Sequence, residues 1–344
     1  MSGAIPILDY SLLHDDPAKF VQELKDVASR WGFFFLKNHP IPKTEVDQNF
    51  ALAKHFFAEP SPGDEYKINE SNVGYSGRWC EGYGRDDHIS FNFGGRYGMP
   101  MNLPPTLSPH YQRIQEFKRS VQDLALELMR GFAIALDLEA DHFAKWHDIT
   151  KDPVRIPWDF HSKSERSSRL RTLQGMNLRF MYYPENHAPE HGQTRIREHS
   201  DFGTITVLFQ HDVGGLEVLS PSGQWVTAPV IEGAPLINIG DFLQIWSGGA
   251  LKSTVHRLTF KNGCKERYSM PCFVGANADA VLAPIKEGHV KMSCPIDGMT
   301  AGEYNNRRLK FLHHGGDPSE TPFITREDQP YHPESVGLSP VVMA

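Results

Sequence analysis

Three side chains in this sequence have the types and the spacing that a redox-active metal ion requires. His199 and Asp201 are separated by one residue, so on a β-strand their side chains would point to the same face. A second imidazole must come from a distant part of the chain, and His256 lies in another strand-like segment. Two neutral imidazoles and one carboxylate on one side of a metal leave the opposite side open, as in non-haem Fe(II) oxygenases. The spacing therefore predicts an iron site at His199, Asp201 and His256.

An isolated H-x-D tripeptide is weak support for a metal site, because short motifs often occur by chance. The alternative is a strand histidine whose ring nitrogens are satisfied inside the core, next to an exposed aspartate. Three other histidines, His187, His191 and His211, have no accompanying ligand set, and we predict that they lie in loops or at the surface. The metal-site hypothesis therefore depends on His256 and on the segments that flank it and His199.

The composition of the 344 residues is that of a soluble globular protein, with 40% hydrophobic and 22% charged residues. A net charge of −7 gives no basic surface for nucleic acid, and no apolar run approaches the ~20 residues that span a bilayer. The N-terminus does not resemble a secretory signal, and the four cysteines form no C-x-x-C pair, so neither a zinc site nor a disulfide framework is indicated. We predict a cytoplasmic protein whose partner is a small-molecule substrate, with no nucleic-acid or membrane partner. The oligomeric state stays open.

Apolar residues at helical spacing predict four principal helices around a β-rich centre. The predicted helices are Pro17–Trp31, Val46–Phe57, Ile114–Leu136 and a final one around Ala301–Leu309. Between Leu178 and Leu282 the pattern changes to short β-like runs separated by turns, which favours an antiparallel sandwich or barrel. One of these runs, Leu243–Trp246, is predicted as a strand that follows a turn at Gly240-Asp241.

The changes in pattern divide the chain into four parts, without internal repeats. Residues 1–150 form an N-terminal helical and mixed region packed on the core, 151–177 a connecting loop, 178–285 the β-rich core, and 286–344 a C-terminal helix and tail. We predict one catalytic unit with the N-terminal region packed against it.

Several segments, in the same order along nearly the whole chain, resemble the isopenicillin N synthase-like family of Fe(II)- and 2-oxoglutarate-dependent oxygenases. They are Ile5–Asp9, Trp31–His39, Asn238–Trp246, Ser253–Leu258 and the R-x-S triplet Arg267–Ser269. The resemblance implies a mainly β fold with flanking helices, whose core is a double-stranded β-helix (a cupin-like jelly roll) with the metal inside.

The resemblance also implies a ligand set and cosubstrates. His199, Asp201 and His256 would bind Fe(II), with 2-oxoglutarate as cosubstrate and O2 as oxidant, and no catalytic group is implied beyond the metal site. Arg267, Ser269 and Tyr183 would bind 2-oxoglutarate. The guanidinium of an arginine can form a pair of hydrogen bonds with the distal carboxylate of 2-oxoglutarate, which favours the arginine for this role.

The position of Arg267 is predicted from a hairpin. The runs Val255–Phe260 and Tyr268–Val274 would pair across a turn at Asn262-Gly263, and this pairing would place Arg267 beside His256. A surface arginine paired with Glu266 is the alternative.

Two further residues are predicted to contact substrate. Arg179 shares a face with Met181 and Tyr183 on a predicted strand, where a buried charge needs a partner, although a salt bridge elsewhere is an equal alternative. Phe202 could stack on a flat substrate, although strict strand alternation points it away from Asp201.

The predicted reaction is hydroxylation or another oxidation (desaturation, cyclisation or ring expansion) of a small organic molecule, such as a secondary metabolite or a nucleobase. One alternative within the family is an Fe(II) oxidase of the isopenicillin N synthase type that uses no 2-oxoglutarate. The other is a jelly-roll binding protein without catalytic activity. Formation of succinate and CO2 separates the first alternative from the oxygenase, and O2 consumption separates the second.

Overall fold

Two β-sheets form the centre of the protein, with helices on the outside of the larger sheet. The structure is a computed structural model and describes residues 3–69, 73–77, 88–94, 101–148, 175–185, 194–260, 265–285, 290–292, 294–314, 321–322 and 324–325. The sheets contain eight and four strands, and a further two-stranded sheet lies near the C-terminus.

The large sheet contains β1 (Ile7–Asp9), β2 (Phe33–Lys37), β3 (Gly74–Ser76), β4 (Ile89–Phe93), β5 (Met176–Tyr183), β7 (Ile205–His211), β10 (Leu236–Ile239) and β12 (Arg267–Val274). Across this sheet the strand order is β1-β2-β10-β7-β12-β5-β4-β3. The small sheet has the order β6-β11-β8-β9, with β6 (Ile196–His199), β8 (Leu216–Leu219), β9 (Trp225–Thr227) and β11 (His256–Leu258). The strands β13 (Lys291–Met292) and β14 (Ile324–Thr325) form the third sheet.

The inner faces of the two main sheets pack on each other. Phe33, Phe35 and Met181 of the large sheet share one apolar cluster with Val218 and Leu258 of the small sheet. Period-two alternation along each strand produces this arrangement, because every second side chain faces the opposite sheet. The predicted jelly-roll core is thereby confirmed.

The helices are α1 (Leu12–Asp15), α2 (Pro17–Arg30), α3 (Lys43–Ala58), α4 (Tyr111–Ala135), α5 (Asp241–Trp246) and α6 (Ala301–His314). The four helices predicted from apolar periodicity correspond to α2, α3, α4 and α6. The apolar stripe of α4, which includes Phe117, Val121 and Leu124, lies in the same cluster as Phe180 and Met270 on the outer face of the large sheet. The stripe is therefore packing surface, as its spacing predicts.

The strand predicted over Leu243–Trp246 is wrong, because these residues belong to the helix α5. All six side chains of α5 are buried. A fully buried helix shows neither the polar face of an amphipathic helix nor an alternating pattern, so periodicity cannot distinguish it from a buried strand.

The predicted hairpin is also wrong. The strand β11 pairs with β6 and β8 in the small sheet, whereas β12 pairs with β5 and β7 in the large sheet. The connection between β11 and β12 therefore crosses from one sheet to the other, and its predicted turn at Asn262-Gly263 lies outside the described residues.

The strands β1 to β4 of the N-terminal region extend the same sheet that β5 begins in the predicted core. The four-part division of the chain stays a prediction, since most of the connecting loop 151–177, including residues 151–174, and the tail beyond residue 325 lie outside the described residues. His187 and His191 lie outside them as well. In the described part of the chain, no helix combines the length and the apolar character that a bilayer crossing needs.

A buried histidine fixes the loop that precedes β7. His147 Nδ1 donates to the carbonyl oxygen of Phe143 at 2.8 Å, because a carbonyl can only accept, so Nε2 accepts from the hydroxyl of Thr204 at 2.7 Å. The ring is buried, and desolvation lowers the pKa of His147 to about 4. The imidazole is therefore neutral in the folded protein near neutral pH.

We expect His147 to contribute to acid destabilisation. The unfolded chain binds a proton at this histidine below its ordinary pKa of 6.5, whereas the folded protein does so only below about 4, so this stability is lost as the pH falls through that window. Between pH 7.5 and pH 5 the free energy of unfolding should fall by about 2 kcal/mol more in the wild type than in His147→Leu. Urea denaturation at both pH values measures this difference.

Thr204→Val is the matched control, because it removes the same hydrogen bond and keeps the titrating ring. It should lower stability at both pH values and retain the wild-type loss between them. An equal loss in His147→Leu and the wild type would contradict the assignment.

Candidate metal centre and cosubstrate pocket

The structure brings the three predicted metal ligands together at the end of the small sheet where β6 finishes and β11 begins. His199 ends β6 and lies directly opposite His256, the first residue of β11. The Nε2 atoms of both rings lie 3.7 Å from Oδ1 of Asp201. The three potential ligand atoms all lie within 4.8 Å of one another, so one ion could contact all of them.

Hydrogen bonds fix the orientation of both imidazole rings. His199 Nδ1 lies 2.7 Å from the carbonyl oxygen of Arg197, and His256 Nδ1 lies 3.2 Å from that of Thr254. A carbonyl oxygen only accepts, so Nδ1 carries the hydrogen in each ring. Each Nε2 therefore carries a free lone pair on the side of Asp201. This tautomer is the one that a metal-binding histidine needs.

Asp201 is held from the large sheet. Its Oδ2 accepts hydrogen bonds from Thr206 Oγ1 on β7 and from Asn238 Nδ2 on β10, both at 2.6 Å. Burial opposes the charge of this carboxylate, but His256, His199 and the two hydrogen bonds outweigh the burial, and the pKa of Asp201 lies below its ordinary value. The other carboxylate oxygen of Asp201, Oδ1, points towards the two imidazoles and could serve as an anionic metal ligand.

The backbone around Asp201 is fixed by the start of α5. The amides of Gly240, Asp241 and Phe242 donate to the carbonyl oxygens of Thr204, Asp201 and Gly203 respectively. A Cβ atom at Gly240 would lie 2.2 Å from the carbonyl oxygen of Gly203, so only glycine permits this approach. Sequence reasoning missed Thr206 as a partner of Asp201, because no local motif relates the two residues.

The donor set fits a ferrous ion. Two imidazole nitrogens and one carboxylate oxygen form the three-ligand set of non-haem iron sites, and further positions stay open to other ligands. His199 is partly exposed, whereas Asp201 and His256 are buried.

The three predicted cosubstrate residues also lie together. Arg267 lies opposite Tyr183 in the pairing of β12 with β5, and Ser269 lies opposite Met181. Arg267 Nη1 donates to Ser269 Oγ at 2.9 Å, and its Nη2 donates to Gln210 Oε1 at 3.2 Å. The guanidinium carbon lies 4.9 Å from the centroid of the Tyr183 ring.

Arg267 is a buried cation, with only 2% of its surface exposed. Desolvation lowers its pKa, its Nε has no hydrogen-bond partner, and no carboxylate of the described residues forms an ion pair with it. A buried charge without a counterion is costly, so this pocket favours an anionic ligand. The distal carboxylate of 2-oxoglutarate has the required charge and the planar shape. The alternative of a surface arginine paired with Glu266 is therefore excluded.

A second row of side chains connects the metal centre with Arg179. Phe273 lies opposite Thr206 on one side and opposite Asn177 on the other. The guanidinium of Arg179 lies 5.3 Å from the centroid of the Phe273 ring, and Asn92 of β4 lies opposite Arg179. Aromatic, amide and guanidinium groups thus line the inner face next to the residue that holds Asp201.

Phe202 takes a different position from these residues. Its ring lies 4.4 Å from the guanidinium carbon of Arg308 on α6 and packs against the cluster outside the large sheet. The aromatic ring beside Arg179 is Phe273, which the sequence reasoning missed. Its even spacing from Arg267 and Ser269 is the signal that places it on the same face.

Comparison with known proteins identifies relatives over most of the chain. The profile of the 2OG-Fe(II) oxygenase superfamily matches residues 174–276, and that of the non-haem dioxygenase in morphine synthesis N-terminal region matches residues 5–85. The 2-oxoglutarate-Fe(II) type oxidoreductase hxnY of Emericella nidulans is 30% identical over 81% of this chain and 81% of its own length. UPF0676 protein C1494.01 of Schizosaccharomyces pombe is 31% identical over 90% of this chain and 92% of its own length.

Solved structures of similar shape include a protein of Neurospora crassa, crystallised at full length with alpha-KG (2-oxoglutarate). This complex has a TM-score of 0.72 and 27% identity, covering 90% of this chain and 97% of that chain. The complex of the same Neurospora crassa protein with alpha-KG and thymine has a TM-score of 0.69 and 26% identity, covering 89% of this chain and 96% of that chain.

Proposed function

Because this chain belongs to the 2OG-Fe(II) oxygenase superfamily, we propose that His199, Asp201 and His256 hold its Fe(II) and that it oxidises a flat heterocycle of the nucleobase class. The protein is an Fe(II)- and 2-oxoglutarate-dependent oxygenase that acts on a small organic molecule. The observation that carries the proposed site is the convergence of the three ligand side chains, with both imidazole tautomers set by backbone carbonyls.

Ferrous iron with 2-oxoglutarate and O2 supplies the oxidation of a substrate C–H bond, with succinate and CO2 as coproducts. The protein orients the reactants. Arg267 and Ser269, with Tyr183 beside them, bind the distal carboxylate of 2-oxoglutarate in a buried pocket. Asn238 and Thr206 keep the Asp201 carboxylate ionised and directed at the metal.

The proposed substrate class follows from the side chains next to Thr206 on the inner face of the large sheet. The ring of Phe273 offers a stacking surface for a flat molecule, and aromatic stacking tolerates any planar ring. Asn177 Oδ1 is buried and has no hydrogen-bond partner among the described residues, so it is available to an N–H donor of a ligand. The guanidinium of Arg179 can donate to a ring carbonyl. Stacking together with both donors and acceptors suits the alternating carbonyl and N–H groups of a pyrimidine base.

A structural relative supports this class. The similar protein of Neurospora crassa has been solved with alpha-KG together with thymine and together with 5-formyluracil. Relatives named as 2-oxoglutarate-Fe(II) enzymes favour the oxygenase over a 2-oxoglutarate-independent oxidase and over an inert binding protein. A cytoplasmic location and a role in secondary metabolism stay predictions from the sequence.

Succinate formation tests the proposed substrate class. With Fe(II) and 2-oxoglutarate, thymine or uracil should stimulate succinate release above the rate without substrate, whereas an acyclic carboxylic acid should not. Phe273→Leu should raise the KM for the base about 10-fold, the size of one stacking contact, and leave the Kd for 2-oxoglutarate unchanged.

Arg130→Gln is the control, because Arg130 pairs with Glu127 and Asp141 at the exposed end of α4. It should behave as the wild type. The nucleobase proposal is wrong if the protein binds Fe(II) and 2-oxoglutarate but no base increases succinate release.

A further inference from the structure

A second buried arginine lies beside the cosubstrate pocket. Arg195 immediately precedes β6 and has only 3% of its surface exposed. Its guanidinium carbon lies 6.0 Å from the centroid of the Tyr183 ring, which Arg267 approaches to 4.9 Å. Two guanidinium groups therefore adjoin one aromatic ring, one from the small sheet and one from the large sheet.

Arg195 connects the two strand ends that carry the cosubstrate residues. Its Nη2 donates to the carbonyl oxygen of Lys265 at 2.7 Å and to that of Pro184 at 3.4 Å. Pro184 directly follows Tyr183 at the end of β5, and Lys265 lies two residues before Arg267. The guanidinium also lies 4.9 Å from the centroid of the Phe260 ring, which restricts its position. This side chain therefore ties the end of β5 to the segment that leads into β12, next to Tyr183 and Arg267.

The charge of Arg195 acts on Arg267. Burial is the larger cause of the lowered pKa of Arg267, and the positive charge of Arg195 lowers it further. Two like charges near each other in a buried region repel, and this repulsion adds to the preference of Arg267 for an anionic ligand. A pocket with two guanidiniums thus favours a ligand that carries a carboxylate at this end.

We propose that Arg195 is a positioning residue for the distal carboxylate of 2-oxoglutarate. It ties the end of β5 to the segment before β12 through their carbonyl oxygens and adds a second positive charge beside Arg267. The pocket thereby selects a 2-oxo acid with a distal carboxylate over one of equal length without it. This proposal rests on the proposed role of Arg267 and adds a residue outside the R-x-S triplet.

Two ligands that differ only in the distal group test the proposal. The probes are 2-oxoglutarate and 2-oxopentanoate, which has a methyl group in place of the distal carboxylate. Their Kd values are measured without O2 on the Fe(II)-loaded protein, from the visible absorption band that a 2-oxo acid produces on binding ferrous iron. Arg195→Gln removes the charge, Arg195→Lys retains it, and metal analysis of each variant checks that the iron site is intact.

We expect Arg195→Gln to weaken 2-oxoglutarate binding about 10-fold and to change 2-oxopentanoate binding less than about twofold. Arg195→Lys should retain at least half of the wild-type selectivity. Selectivity here is the logarithm of the Kd for 2-oxopentanoate divided by the Kd for 2-oxoglutarate. Added salt should reduce the selectivity little, since the pocket is buried.

Equal weakening of both ligands by Arg195→Gln would overturn the proposal, because Arg195 would then only support the fold. Unchanged binding of both ligands would overturn it as well. If Arg195→Gln does not fold, Arg195→Lys decides: weakening confined to 2-oxoglutarate supports the proposal, and equal weakening of both ligands or unchanged binding of both overturns it. Failure of the wild type to prefer 2-oxoglutarate would instead contradict the role proposed for Arg267, so the two proposals fail in different ways.

Discussion

His256→Ala should abolish turnover and remove most of the affinity for Fe(II), while the protein stays folded. Loss of a residue that only supports a metal ligand costs about 10- to 100-fold in metal affinity, so loss of a direct ligand should cost at least about 100-fold. The truncation also removes the edge contact of His256 with Phe33, whose ring centroids are 5.1 Å apart, and should lower stability by about 1–3 kcal/mol. Metal analysis after dialysis, succinate formation and circular dichroism measure the three effects.

His55→Ala is the matched control for the loss of a histidine. The His55 side chain is 68% exposed on α3, far in sequence from the ligand set, so this variant should bind iron and turn over like the wild type. If His256→Ala retained stoichiometric iron and normal turnover, the proposed ligand set would be wrong.

The convergence of His199, Asp201 and His256 could be predicted from the sequence, although its cause is partly different from the predicted one. The spacing predicts that His199 and Asp201 share the face of one strand, but β6 ends at His199 and Asp201 lies in the loop beyond it. The carboxylate is placed by contacts with β7, β10 and the start of α5, which come from distant segments. The spacing identifies the residues, and tertiary contacts produce the geometry.

The hairpin between β11 and β12 could not have been excluded from the sequence. Two β-like runs with an Asn-Gly turn between them are the usual local signal for a hairpin. In this fold, however, β11 and β12 each pair with partners from distant parts of the chain, and local sequence does not encode that choice. Arg267 still reaches the pocket, because the two sheets face each other and both carry inward-pointing residues.

The residues that we propose to contact substrate and cosubstrate are the hardest to predict from the sequence. The position of Phe273 depends on the register of β12 against both β5 and β7, which brings it between Asn177 and Thr206. The role of Arg195 depends on carbonyl oxygens at two strand ends that are 81 residues apart, at Pro184 and Lys265. Neither position belongs to a short motif. The even spacing of Phe273 from Ser269 predicts its face of the strand, and the folded structure shows its neighbours.

Arg267→Gln should raise the 2-oxoglutarate concentration needed for half-maximal rate by about 100-fold, because it removes the charged, fork-shaped donor from a buried pocket. The Kd for 2-oxopentanoate should stay within about twofold of the wild type, since that ligand lacks the carboxylate that Arg267 would bind. Without 2-oxoglutarate, the variant should unfold at the same temperature as the wild type or above it, because a buried unpaired cation is removed. Kinetic titration and thermal melts with and without 2-oxoglutarate measure these effects.

The thermal melts separate a binding defect from a folding defect. A ligand stabilises a protein according to its concentration relative to its Kd, so 2-oxoglutarate at about 100 times the wild-type Kd should add about 2.7 kcal/mol to the wild type and less than about 0.5 kcal/mol to Arg267→Gln. Arg130→Gln, which removes an exposed guanidinium, should retain the full stabilisation. An unchanged 2-oxoglutarate requirement in Arg267→Gln would show that the buried cation serves another carboxylate, such as one on the substrate, and would favour the oxidase alternative for this site.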